Sequence, residues 1–252
     1  MKAILLFGGS GSRLMPLTKS VNKQLLPIGL KPMAYWVVEK VTSAGIDDIL
    51  IITGKEHAGS ITDTFGSGAE FGCNFTYKIQ ENPGGIAQAV GLGENFSKDE
   101  PYMVILGDNI FEYDLKHDVE KFEEDYNALH YATDKEASIA KVFLMEVEDP
   151  TRYGVAEVAD GRVINIEEKP KEPKSNKAVI GIYMYSPNSF KRIRIQKPSK
   201  RNELEITDLN NTYVKEGTMQ YSTIHGFYSD AGTLNSYKKV NQWALNNLDK
   251  IK

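Results

Sequence analysis

The sequence predicts an α/β fold: a doubly wound, mixed but mostly parallel sheet that carries an inserted β-rich part. Three observations predict it. Over residues 1–136, short apolar runs alternate with helical periodicity in the order strand, helix, strand, helix, strand. Glycine-containing turns follow the first and fourth runs, at the sheet edge where ligands of such folds sit. From about Ala137 the texture changes to closely spaced strands, and two helices close the chain.

Lys2–Phe7 is a continuous apolar run ending at glycine, the pattern of a strand buried on both faces. Pro32 suits the first turn of a helix with Met33, Trp36, Val37, Val41 and Ala44 on one face and Gly45 as its stop. Asp48–Thr53 is a second strand, followed by a weakly patterned helix near residues 57–65. Phe75–Ile79 is a third strand, and Gly84-Gly85 lead into a helix over Ile86–Phe96. Tyr102–Leu106 is a fourth, ending at Gly107-Asp108-Asn109.

In the β-rich part, strands are expected over Ile139–Val147, Gly154–Val158, Val163–Glu168 and Val179–Tyr185, with Asp160-Gly161 as a hairpin turn. One helix starts near Thr207-Asp208 and stops at Gly217. The last runs from Thr233, with Leu234, Tyr237, Val240, Ala244 and Leu248 facing inward. Lys169–Lys177 reads as a solvated loop. Lys191–Arg201, with six basic residues in eleven, reads as a solvated face. No linker divides the chain, so a single domain over residues 1–252 is expected.

The bulk numbers exclude several classes. The chain is 41% hydrophobic and 25% charged with a net charge of -4, which argues against a general nucleic-acid binder. One cysteine, Cys73, allows no intrachain disulfide or cysteine-based zinc cluster and reads as a buried filler. No run is long enough for a signal-peptide core or a membrane span, so a cytoplasmic location without membrane partners is expected.

Chemistry concentrates at Gly8, Gly9 and Gly11, with Arg13 behind them and Lys23 ten positions further on. Backbone amides in such a turn form a concavity suited to phosphate oxygens, and the two side chains add full charges. A dinucleotide fingerprint would need glycine where Leu14 stands, and a P-loop would need Gly-Lys-Ser/Thr. A nucleoside triphosphate site and a merely structural turn remain. Asp108 at a strand's carboxyl end suits Mg²⁺ beside substrate phosphates, or plain turn chemistry. Asp230 is either a second metal carboxylate or the N-cap of the last helix. Glu167-Glu-Lys-Pro170 alone reads as a surface charge run.

Nine segments, in order, resemble the sugar-1-phosphate nucleotidyltransferases, most closely the glucose-1-phosphate thymidylyltransferase family. They are Gly8-Gly-Ser-Gly-Ser-Arg-Leu14, Lys23-Gln-Leu-Leu-Pro27, Lys31-Pro-Met33, Gln88-Ala89, Leu106-Gly-Asp-Asn109, Arg152-Tyr-Gly-Val155, Glu167-Glu-Lys-Pro170, Glu203-Leu-Glu-Ile-Thr-Asp208 and Asp230-Ala-Gly-Thr233. The resemblance implies a Rossmann-like nucleotidyltransferase fold. Residues 1–136 would bind the nucleotide, 137–226 the sugar, and 227–252 would supply a metal carboxylate and a closing helix.

It also implies a reaction in which dTTP or UTP and glucose 1-phosphate give a nucleoside diphosphate glucose and pyrophosphate. Arg13 would hold the leaving phosphates and Lys23 the α-phosphoryl oxygens, Lys23→Ala costing turnover with little effect on folding. Gln80 and Gly85 would read the pyrimidine edge. Gly154, Glu168 and Lys169 would hold the sugar and its phosphate, Arg201 would make another phosphate contact, and Asp108 and Asp230 would carry Mg²⁺. Self-association into a homo-oligomer is implied as well.

Three departures stand out. Phe7 replaces the family's usual alanine and is expected to crowd or reshape the nucleoside pocket. Tyr228 stands where tryptophan is common. The sequence ends just after the last helix, like a short form with weak or absent feedback inhibition by nucleotide sugars. A non-catalytic nucleotide-sugar-binding subunit is the competing reading, disfavoured because the charged residues are all present.

Overall fold

The computed structural model describes residues 1–132 and 136–248. Among them, nine strands form one mixed sheet. In chain order these are β1 (Lys2–Phe7), β2 (Asp48–Gly54), β3 (Asn74–Gln80), β4 (Tyr102–Leu106), β5 (Ala140–Glu146), β6 (Gly154–Ala159), β7 (Arg162–Glu168), β8 (Lys177–Tyr185) and β9 (Met219–Thr223). Their order across the sheet is β7-β6-β8-β4-β1-β2-β3, with β5 also paired to β8 and β9 paired to β5. Strands β4, β1, β2 and β3 are mutually parallel, with Ala3 opposite both Ile49 and Met103.

Strand β8 joins the two halves. Ile182–Tyr185 run antiparallel to β4, while Ala178 and Val179 pair with β6. The β6–β7 hairpin turns at Asp160 and Gly161, both at positive φ, as the Asp-Gly signal requires.

Alternation along β1 divides the core. Ala3, Leu5 and Phe7 face α1 (Met33–Ser43), α2 (Ala58–Phe65) and α5 (Lys116–Ala132). Ile4 and Leu6 face α3 (Ile86–Gly91), α6 (Ser189–Ile195) and α7 (Ile206–Glu216). A third cluster of Leu14, Ile28, Met33, Trp36, Val240 and Ala244 seats α8 (Leu234–Asn246) against the segment after the glycine loop.

The helix expected over Ile86–Phe96 is two pieces, α3 and α4 (Glu94–Ser97). The break falls at Gly93, where a Cβ would sit 2.4 Å from Ile4 Cδ1, so the chain approaches β1 too closely for an ordinary helix residue. On α8, Val240 and Ala244 are buried and Tyr237 partly so, but Leu234 is exposed, as is Leu248 beyond the helix end. Helices α5 and α6, strand β9 and the Asn109–Phe111/Tyr228–Asp230 ribbon were not anticipated. Cys73 is a buried free thiol. No described helix is long and apolar enough to cross a membrane.

Candidate active site

A cleft of about 370 Å³ opens at the carboxyl edge of β1, β2 and β4. Gly8, Gly9, Arg13, Lys23, Gln80, Gly85 and Asp108 all line it, although they come from positions far apart in the chain. Leu6, Ile52, Ile86, Ala89 and Leu106 form its apolar wall. Phe7 is not part of that wall. It is fully buried on the opposite face of the sheet, its ring centroid 5.6 Å from that of Phe65, so it does not crowd the cleft.

The loop after β1 folds back on itself. Thr18 Oγ1 donates to the Gly11 carbonyl at 2.8 Å, and Asn22 caps the turn Lys23–Leu25 by accepting from the Gln24 amide at 2.8 Å. That turn delivers Lys23 Nζ to within 2.6 Å of Asp108 Oδ2. Burial pushes the Asp108 carboxyl up, but the Lys23 charge and hydrogen bond, with Asn109 Nδ2 at 3.0 Å, outweigh it and hold the group below the ordinary carboxylate range.

Asn109 is itself clamped, its Oδ1 accepting from the Gly181 amide at 3.0 Å and the Tyr228 hydroxyl at 2.8 Å. Tyr228 is therefore a buried hydrogen-bond donor in the support of Asp108.

On the base side, Gln80 Nε2 donates to Gln88 Oε1 at 2.5 Å. Gly85 has φ 97, and a Cβ there would lie 2.5 Å from the Leu204 carbonyl oxygen. Only glycine lets residues 203 and 204 lie across this loop, where Leu204 N donates to Gly84 O at 2.8 Å. Glu203 consequently lines the cleft too.

The ribbon pairs Asp230 with Asn109 and so brings the second aspartate beside the first. A Cβ on Gly232 would sit 3.3 Å from Asp108 Oδ2, 3.3 Å from Asp230 Oδ1 and 3.2 Å from Arg13 Nη2. Two carboxylates and an arginine thus converge on a space that only glycine leaves open. Asp230 does not cap α8. Thr233 does, in a capping box with Ser236. Among the described residues no group of three or more His, Cys, Asp or Glu side chains converges to hold a metal unaided. Two hard oxygen donors that leave room for phosphate oxygens are the donor set Mg²⁺ accepts.

Gly154, Glu168, Lys169 and Arg201 meet in a second cluster. Glu168 accepts from Thr207 Oγ1 at 2.6 Å and pairs with Lys169 Nζ at 3.2 Å and Arg201 Nη2 at 3.4 Å. A Cβ on Gly154 would lie 3.3 Å from Thr207 Oγ1. Lys169 is held at φ 47, a left-handed conformation uncommon outside glycine, with its amide on the Tyr153 carbonyl at 2.9 Å. Burial opposes ionisation of Glu205, but Arg201 at 2.7 Å and Ser199 at 2.6 Å hold its carboxyl below the usual range. Asp208 is raised, by burial and then by Glu205 and Glu168.

Gln24, Arg152, Tyr153, Glu203, Glu205 and Thr207 also belong to these clusters. All lie inside the nine sequence segments, but only the fold shows which members of a segment face the cleft.

Fold and cleft together define an enzyme of nucleotide chemistry, with a basic glycine loop opposite paired carboxylates. The chain belongs to the nucleotidyl transferase family, whose model matches residues 2–247. It is 40% identical over 240 residues to the glucose-1-phosphate thymidylyltransferase of Neisseria meningitidis, covering 92% of this chain and 78% of that one. It is 43% identical over 235 residues to that of Xanthomonas campestris, covering 92% and 76%. A Bacillus anthracis structure assigned to glucose-1-phosphate thymidylyltransferase, in complex with a sucrose, superimposes with a TM-score of 0.90 at 49% identity, covering 98% and 96%. A UDP-glucose pyrophosphorylase complexed with UDP-glucose superimposes with a TM-score of 0.81 at 26% identity, covering 98% of each chain.

Proposed function

We propose that the protein transfers a nucleotidyl group from dTTP or UTP to glucose 1-phosphate, releasing pyrophosphate. The observation that carries this reading is the convergence of Gly8, Gly9, Arg13, Lys23, Gln80, Gly85 and Asp108 on one cleft, with Asp230 beside Asp108. In the proposed reaction a phosphate oxygen of the sugar phosphate attacks the α-phosphorus in line, and the bond to the departing pyrophosphate breaks.

The chain's own residues orient and neutralise. Gly8, Gly9 and Gly11 let backbone amides approach the phosphates, and Arg13 holds the leaving pair. Lys23 reaches the α-phosphoryl oxygens as charge builds there. Gln80 and Gly85 read the base edge. Gly154, Glu168, Lys169 and Arg201 hold the sugar phosphate. Mg²⁺, held by Asp108 and Asp230, would when bound neutralise part of the triphosphate charge.

The test is a matrix of nucleoside triphosphates against sugar 1-phosphates, with and without Mg²⁺, read as pyrophosphate release. Turnover should be highest with dTTP or UTP and glucose 1-phosphate, and should vanish without the metal. Absence of turnover with every sugar phosphate would refute the reading.

A further inference from the structure

The two carboxylates that meet at Gly232 are each engaged by a cation of the chain itself. Lys23 Nζ lies 2.6 Å from Asp108 Oδ2, and Arg152 Nη2 lies 3.2 Å and 3.4 Å from the two oxygens of Asp230. Three donors complete the shell of Asp230: Tyr153 hydroxyl at 3.0 Å, Gly232 amide at 3.2 Å and Ser236 Oγ at 3.2 Å. Each of the two carboxylates has a positive charge of the chain against it. Lys23 supplies it for one and Arg152 for the other.

We propose that Arg152 is a positioning residue that competes with the metal for Asp230 and swings away when metal and triphosphate arrive together. The proposal rests on the reading of Asp108 and Asp230 as metal ligands. Arg152 ends the short turn Pro150–Arg152 and is 42% exposed, against 18% for Asp230. It therefore has room to leave without disturbing the core. Its guanidinium lies 5.7 Å from the centroid of the Tyr153 ring, and Tyr153 links the two clusters, its hydroxyl on Asp230 and its carbonyl on the Lys169 amide. Metal alone must displace a guanidinium that gains nothing in return. Metal carried in with a triphosphate brings phosphate oxygens that give the released guanidinium a new partner, so metal and nucleotide would bind cooperatively.

Binding of Mn²⁺ alone, followed through the electron paramagnetic resonance signal of the free ion, tests this without turnover. Arg152→Met should bind Mn²⁺ about fivefold more tightly than the parent, the upper end for loss of an exposed ion pair. Arg152→Lys should stay near the parent. The advantage of Arg152→Met should shrink once dTTP is present. Lys169→Met removes the same charge beside Glu168 and should leave Mn²⁺ affinity unchanged. Equal tightening by Lys169→Met would overturn the proposal in favour of a general field effect. Mn²⁺ affinity in Arg152→Met no higher than in the parent, with Asp230→Asn losing the ion, would also overturn it and leave the metal site standing. Parent-like Mn²⁺ binding in both Asp108→Asn and Asp230→Asn would remove the metal site itself, and the proposal with it.

Discussion

Lys23→Ala should destabilise the protein as well as stop it. Lys23 and Asp108 are 13% and 12% exposed and 2.6 Å apart, so removing the lysine leaves a mostly buried carboxylate with Asn109 Nδ2 as its side-chain donor. Breaking a buried ion pair costs about 3–5 kcal/mol. The surviving donor and the residual exposure place this one at or below the lower end, about 2–3 kcal/mol. For a chain of this size that is a fall in Tm of about 5–10 °C.

The pH dependence should change sign. In the parent the folded-state pKa of Asp108 lies below its unfolded value, so the pair stabilises the fold above that unfolded value and the benefit is lost as pH falls through the folded one. In Lys23→Ala burial is left to dominate, the folded-state pKa rises, and acidification from neutral pH should narrow the gap to the parent. Thermal melts of Lys23→Ala, Asp108→Asn and the double variant complete the cycle. The double variant should be more stable than Lys23→Ala alone. A loss below about 2 °C in Lys23→Ala, or no recovery in the double variant, would refute the reasoning.

Gly85→Ala puts a Cβ 2.5 Å from a backbone carbonyl at φ 97, so segment 203–204 must lift from the cleft; KM for the triphosphate should rise at least about tenfold, measured by initial rates at saturating sugar phosphate. Gly232→Ala fills the space shared by Arg13, Asp108 and Asp230, and should raise the Mg²⁺ concentration for half-maximal rate while shifting Tm by less than about 4 °C. Tyr228→Phe deletes the donor to Asn109 and should cost about 1 kcal/mol in urea unfolding, with Asn109 still held by the Gly181 amide.

Local signals made much of this fold legible. The buried strands, the Asp160-Gly161 turn and the Gly217 stop of α7 each rest on a few adjacent residues. Helix α5 also carried its signal, with Leu115, Val119, Phe122 and Tyr126 at helical spacing, but charged residues between them obscured it. Its buried Asp118 is paired to Lys141 at 2.6 Å, a partner no local pattern announces. Phe7 departs from expectation for a simpler reason. In a strand, neighbours face opposite ways, so Leu6 lines the cleft and Phe7 cannot. The expectation that Lys23→Ala has little effect on folding leaves out an ion pair whose other member lies 85 residues away. Likewise, the ribbon that brings Asp230 to Asp108 pairs a segment near the middle of the chain with one near its end.

The central claim is attack by a sugar phosphate oxygen on the α-phosphorus of the nucleotide. Glucose 1-phosphate labelled with ¹⁸O in its non-bridging phosphate oxygens, incubated with dTTP and Mg²⁺, tests it directly by mass spectrometry of the products. The account predicts that all label appears in the nucleoside diphosphate glucose and none in pyrophosphate. Labelled pyrophosphate, or a glucose diphosphate formed by attack at the γ-phosphorus, would contradict it.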